Sequence, residues 1–178
     1  MVEAMHHKIR ESMESAEGLY YRLVLLTGKS GSGKTRVLRD MAEEYKTTIL
    51  NINLLLSGRL LELSEKQRTL RLPGILEEII RSEEHNNDDR HRGAGTPLIL
   101  DNTEILFDKN LKQNPLRLLQ SISRNRLILA SWNGTLVRGK LQYAEIGHPE
   151  YQSYDSDDIL IVDMEAGAKK DLPAGDRS

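Results

Sequence analysis

The chain has 178 residues, enough for one well-packed domain and short of two comfortable ones. Hydrophobic residues make up 38% and charged residues 29%, with aromatics at only 4%, so the core must be built mainly from Leu and Ile. The net charge of −2 argues against a whole-surface attraction to nucleic acid, and the lack of any cysteine excludes disulfides, thiol catalysis and Cys-ligated zinc. No stretch reaches the ~20 apolar residues of a membrane helix, and residues 1–18 lack a signal-type apolar run, so a cytoplasmic protein without membrane contact is expected.

Met5, Ile9, Met13 and Ala16 recur at helical spacing, so residues 1–18 read as an amphipathic helix ended by Gly18. Leu23 to Leu26 is an apolar run of buried-strand type that stops at a glycine-rich loop. Thr35 to Tyr45 reads as a helix with Val37, Leu38, Met41 and Tyr45 on one face, and Thr48 to Asn53 as the second strand. Arg59 to Arg71 reads as a helix, Pro73 as the opening of another through Ile80, and Glu83 to Gly95 as a polar surface loop. Pro97 to Leu100 forms the third strand and Pro115 to Ser121 a helix. Leu127 to Ser131 forms the fourth strand, with a turn at Asn133-Gly134 and a hairpin over Thr135 to Ile146 centred on Arg138-Gly139. Ile159 to Val162 is the last strand, which puts the main domain at 19–162 and leaves 163–178 as a disordered polar tail.

Strands alternating with helices, several of them continuously apolar, predict a three-layer α/β fold. Its sheet is expected to be mostly parallel and five-stranded, with helices on both faces. The pattern G-x-x-x-x-G-K-[ST] is matched without a gap by Gly28, Lys29, Ser30, Gly31, Ser32, Gly33, Lys34 and Thr35. Its glycines let the backbone curl close to phosphate, its N–H groups and the following helix N-terminus face an anion, Lys34 reaches the β and γ phosphates, and Thr35 offers a hydroxyl to Mg²⁺. The strand before and the helix after supply the context the motif needs, so ATP and Mg²⁺ are the expected ligands.

Leu98-Ile99-Leu100-Asp101 is an apolar strand ending in an acid, the form in which Asp101 holds Mg²⁺ through water. A complete strand-helix unit, Thr48 to Ile80, separates it from the phosphate motif. That puts an extra strand between the two motif strands, an order that resembles the ASCE division of P-loop proteins, which includes the AAA+ ATPases. Such ATPases carry Glu directly after the Asp. Here Asn102 stands there and the nearest acid is Glu104, so either Glu104 polarises the attacking water or hydrolysis is slow and needs a partner. Asn133, with Ser131 second, is the candidate sensor of the γ phosphate beyond the fourth strand, against the reading of Asn133-Gly134 as a plain turn; Trp132 reads as packing. Arg124 and Arg126, which flank that strand, are the better candidates for an arginine acting across a subunit interface, ahead of Arg117. Arg59, Lys66, Arg68 and Arg71, interleaved with Glu62 and Glu65, read as a solvated helix face, and the five histidines show no metal-ligand spacing.

Several segments resemble the BrxF family, the small P-loop proteins of type III BREX bacteriophage-exclusion systems. They are Asn51-Ile52-Asn53, Leu60 to Leu63, Leu70 to Pro73, Leu100 to Asp108, Pro115 to Gln120, Ser123 to Arg126, Ala130 to Gly134 and Gly147 to Tyr151. The resemblance extends over Leu23 to Val162 and includes the Asp101-Asn102-Thr103-Glu104 arrangement. It implies an ATPase subunit of an anti-phage complex, working with other BREX proteins, with copies of itself and, as an open alternative, with DNA. The residues leave two other readings: a small-molecule or nucleotide kinase, and a nucleotide-gated binding module with little hydrolysis. The length leaves no room for the helical lid domain of full AAA+ proteins.

Overall fold

The computed structural model describes residues 2–86, 96–143, 152–155 and 159–165. Its elements are α1 (Val2–Ala16), β1 (Leu23–Gly28), α2 (Lys34–Tyr45), β2 (Ile49–Asn51), α3 (Ile52–Leu60), α4 (Glu65–Asn86) and β3 (Leu98–Asp101). Two 3-10 turns follow, Glu104–Phe107 and Lys109–Leu111, then α5 (Pro115–Ile122), β4 (Ile128–Val137), β5 (Lys140–Tyr143), β6 (Gln152–Asp155) and β7 (Leu160–Asp163).

Five parallel strands run in the order β2-β3-β4-β1-β7. Alternate residues of β1 point to opposite faces, as a period of two requires. Leu23 and Leu25 join the core under α3, α4 and α5, while Val24 and Leu26 join the core under α1 and α2. Because both faces are covered, the central strands are apolar throughout, which is why they read as continuous runs. Met5, Ile9, Met13 and Ala16 are buried on the α1–α2 side, each large apolar side chain contributing about 1.5–3 kcal/mol on burial. The three-layer α/β fold is therefore as expected, with one addition: β5 and β6 extend the sheet antiparallel from β4, making seven strands.

Several local expectations are corrected. The strand standing between β1 and β3 is β4, not β2, which among the described residues pairs only with β3. The second strand stops at Asn51, because the Asn51 side chain accepts the Leu54 N–H at 3.0 Å and starts α3. The helix read over Arg59 to Arg71 is broken between Leu60 and Glu65. There Arg68 Nε donates to the Leu60 and Leu63 carbonyls at 2.8 and 2.9 Å, and Ser64 Oγ accepts the Gln67 N–H at 3.2 Å. Ser64 and Gln67 stand in capping-box positions. Pro73 lies inside α4 rather than opening a helix. Its missing N–H frees the Thr69 carbonyl, which instead accepts from Gln113 Nε2 at 2.9 Å. Glu83 to Asn86 are helical, and the rest of the loop read to Gly95 lies outside the described residues. Asn133 and Gly134 sit within β4, and the reversal comes at Arg138-Gly139, where φ values of 51° and 76° give the doubly left-handed hairpin turn. Asp163 closes β7 and residues 163–165 are described; the remainder of the expected tail, and the family segment Gly147 to Tyr151, lie outside the described residues.

Candidate functional site

The glycine-rich loop leaves the end of β1 and enters α2, with Gly31 at φ 83° and Gly33 at φ 99°, values that L side chains resist. Inside the curl, Lys34 Nζ donates to the Gly28 and Lys29 carbonyls at 2.8 and 2.9 Å. Burial lowers the Lys34 pKa, and the opposing pull of Asp101 and Glu104 does not cancel it. Its ammonium is thus undercompensated where it stands, and an oxyanion would complete its shell. Ser32 Oγ is buried against Gly28 with no hydrogen-bond partner among the described residues, a second donor for such an anion.

The parallel pairing sets Asn133 opposite Gly28, so the end of β4 lies beside the loop, with Asp101 at the end of the next strand. Asp101 Oδ2 accepts the Thr35 hydroxyl at 2.7 Å and its Oδ1 accepts the Asn102 N–H at 2.8 Å. Thr35 and Asp101, sixty-six positions apart, are thereby in direct contact. Among the described residues no group of three or more His, Asp or Glu side chains could enclose a metal. A Mg²⁺ here would draw on the Thr35 hydroxyl, the Asp101 carboxylate, phosphate oxygens and water, a donor set that suits this ion.

Asn102 adopts φ 53°, a turn that carries the chain over to Glu104. The Glu104 carboxylate is held at both oxygens: Asn53 Nδ2 donates to Oε1 at 3.2 Å and Asn133 Nδ2 donates to Oε2 at 2.6 Å. A carboxylate offers about four lone-pair sites, so two amides leave it able to accept from a water. Asn53 was missed as a site residue by sequence reasoning. It also accepts the Ile105 N–H at 2.8 Å on Oδ1, and its own N–H donates to the Asn102 carbonyl at 2.9 Å. The only sequence signal was its place in the segment Asn51-Ile52-Asn53.

Below Asn133, Trp132 is fully buried and donates to the Gln142 carbonyl at 3.1 Å. It stands edge-on to Phe107 and Tyr154, and Phe107 stacks on Tyr143 at 3.6 Å. Burial pushes the Tyr154 hydroxyl up to about 12. A Cβ on Gly134 would collide with the Gln142 carbonyl, so glycine is what lets β5 close on this end of β4. Ser131 is buried and its carbonyl accepts from Thr103 Oγ1 at 2.9 Å, tying the two strand ends together.

The structure does not bring Arg124 or Arg126 to this site. Both precede β4, and Ile128 pairs with Leu23, so they lie at the start of the strands while the loop lies at their ends. Arg126 is buried and held by Glu84 at 3.0 Å, Glu77 at 3.1 Å and the Ile122 carbonyl at 2.9 Å, which removes it as a catalytic arginine. Arg124 sits over the Tyr20 ring at 4.5 Å. In the basic segment, Arg59 on α3 pairs with Glu78 at 2.6 Å, while Arg68 on α4 is part-buried and closes the break between the two helices instead of lying on a single solvated face.

No protein-family model matches the chain, and no curated protein matches it. Among solved structures it is similar to PCH-2 of C. elegans, at 20% identity and a TM-score of 0.41, with 90% of this chain and 41% of that chain covered. The chain therefore spans less than half the length of that protein, and a likeness of this degree assigns neither activity nor partner. Among the described residues no helix is long and apolar enough to cross a membrane.

Proposed function

We propose that the protein binds Mg-ATP on the loop Gly28 to Thr35 and hydrolyses it as a small P-loop ATPase. The observation that carries this is the 2.7 Å bond from the Thr35 hydroxyl to Asp101, which joins the phosphate motif after β1 to the acid that ends β3, one strand beyond β4, next to the buried Lys34. In this reading the loop N–H groups and Lys34 hold the phosphates, and Thr35 and Asp101 hold the metal, Asp101 through water. The bound Mg²⁺ supplies neutralisation of the charge on the phosphate oxygens. Glu104 orients and deprotonates the attacking water, and the Asn133 and Asn53 amides fix the carboxylate's direction. The experiment is calorimetric titration of Mg-ATP into the wild-type chain and Lys34→Ala. Micromolar binding lost by at least 100-fold in the variant supports the reading; equal binding by both, or by neither, overturns it.

A second reading, a nucleotide-gated module with slow turnover that a partner stimulates, draws on Asn102, which puts an amide where a carboxylate would directly follow Asp101. Phosphate release measured with and without DNA, alongside light scattering with and without ATP, separates the two. The wider role, a subunit of a type III BREX phage-defence system acting with its partner proteins and with copies of itself, is supported by the BrxF resemblance of the segments between Leu23 and Val162.

A further inference from the structure

Three lysines line a second cavity, in which no residue of the phosphate loop takes part. Its volume is about 600 Å³, and it lies between the start of α4 and the 3-10 turn Lys109–Leu111. Lys66 comes to it from α4, and Lys109 and Lys112 from the turn and the residue after it; all three are exposed. The nearby arginines are spent elsewhere. Arg59 pairs with Glu78 at 2.6 Å, and Arg68 Nε donates to the Leu60 and Leu63 carbonyls. Among the described residues none of the three lysines forms an ion pair, although Glu65 stands in the same lining. Asp108, the acid before Lys109, is turned to the backbone, where its Oδ1 accepts the Asn110 N–H at 2.9 Å. The chain that carries the lysines is held in place. Gln113 Nε2 donates to the Thr69 and Leu111 carbonyls at 2.9 and 2.8 Å, Leu111 is buried, and the Lys112 N–H donates to the Lys109 carbonyl at 3.2 Å. Only the ammonium ends are free to follow a ligand.

Unpaired cations gathered in a cleft call for an anion, and the rest of the lining says which kind. Small-molecule sites are mostly apolar with a few polar groups, whereas Leu70, 67% exposed, is the one apolar side chain here. An acidic protein partner would draw its affinity from buried apolar anchors, which the same lining does not offer. Lys, Thr and Asn are among the side chains that hold phosphates, and Thr69 and Asn110 join the lysines in the cavity. No aromatic ring lines it, so unpaired bases would have nothing to stack on, as single-strand binding requires. We propose that this cleft binds the phosphodiester backbone of a nucleic-acid duplex without reading its sequence. The net charge of −2 does not oppose this, because charges beyond about 8–10 Å are screened and the local surplus of lysine decides. The site stands apart from the reading of the loop as a nucleotide site.

Fluorescence anisotropy with labelled duplexes of about 20 base pairs, one of DNA and one of RNA, tests this on the full chain between about 50 and 200 mM salt. Two unrelated sequences should bind within twofold of each other, and the tighter of DNA and RNA names the source. Each of Lys66→Ala, Lys109→Ala and Lys112→Ala should weaken binding about threefold and flatten the slope of log affinity against log salt by about 0.9. The triple variant should lose about 30-fold, three such factors combined, with an unchanged urea midpoint showing that it is folded. No duplex binding by the wild-type chain at the lowest salt overturns the proposal, as does a triple variant that binds within twofold of the wild type. A single strand of the same length that binds more tightly than the duplex also overturns it. Displacement of the duplex by polyglutamate of equal charge overturns it in favour of an acidic protein partner.

Discussion

Asn133 lies within β4 and Arg126 just before it, and the two have opposite lives. Asn133, beside Gly28 where the parallel pairing of β4 with β1 ends, is half-buried and spends its amide on Glu104 at 2.6 Å. Arg126, two residues before the strand begins, is 9% exposed and spends its guanidinium on Glu77, Glu84 and a helix carbonyl. The parallel sheet explains the difference. Strand ends, where the phosphate loop and Asp101 also lie, form the crevice in which an open α/β sheet binds ligands, while strand starts face the other side and are free for structural bonds. Polar groups at the two ends should therefore fail in different assays.

The largest expected effect is at the structural end. Arg126→Met removes a buried cation from two carboxylates that are themselves 31% and 30% exposed. Breaking such a pair costs about 3 kcal/mol, held to the low end because Glu77 and Glu84 can take water. Urea denaturation should show that loss while Mg-ATP affinity stays within twofold. A loss below about 1 kcal/mol would mean that the pair behaves as a surface bridge. At the other end, Glu104→Gln keeps the volume and removes the base. ATP turnover should fall by about 100-fold, with ATP binding and the urea midpoint little changed; an unaltered rate removes Glu104 from the mechanism.

How much of this was legible depended on whether a feature is local in the chain. The loop was legible because eight contiguous residues carry its chemistry, and the strands of the double-covered sheet because burial on both faces makes them uniformly apolar. Asn53 was not, because its role arises only when β2 pairs with β3 and sets Asn51 level with Asp101. Arg126 misled for a related reason: nearness to a strand in sequence does not show that a side chain is buried and spent on Glu77 and Glu84 of α4. Thr48 to Asn53 alternates like a strand throughout, and only the Asn51 cap shortens it. Pro73 read as a helix start because its tolerance inside α4 depends on Gln113, forty-four positions from the carbonyl it relieves.

Lys34 sharpens the comparison, since it is a group at the site end that works against the fold. Its pKa in the folded chain lies below the usual 10.5 because of burial. Between that lowered value and 10.5 the unfolded chain binds more protons, so this residue's contribution to stability rises with pH across the window. Phosphate binding needs the ammonium, so ATP affinity should fall across the same window. Melting temperatures and ATP titrations from neutral to alkaline pH, taken as differences between the wild-type chain and Lys34→Met, should give slopes of opposite sign. Slopes of the same sign would mean that Lys34 does not couple fold and ligand in this way.

The smallest expected effect concerns Gln113, whose amide serves the fold from the segment between β3 and α5. It donates to the Thr69 carbonyl at 2.9 Å and to the Leu111 carbonyl at 2.8 Å, so it repairs the helix where Pro73 cannot donate and at the same time pins the turn after β3 to α4. Gln113→Ala leaves a partly buried carbonyl to find water, at a cost of about 1 kcal/mol. Pairing the variant with Pro73→Ala separates the two duties. Alanine restores the N–H that Thr69 lacks, so the double variant should recover part of the loss if the helix repair dominates. If the double variant is no more stable than Gln113→Ala alone, the amide's work lies in holding the turn after β3, and Thr69 is only where it lands.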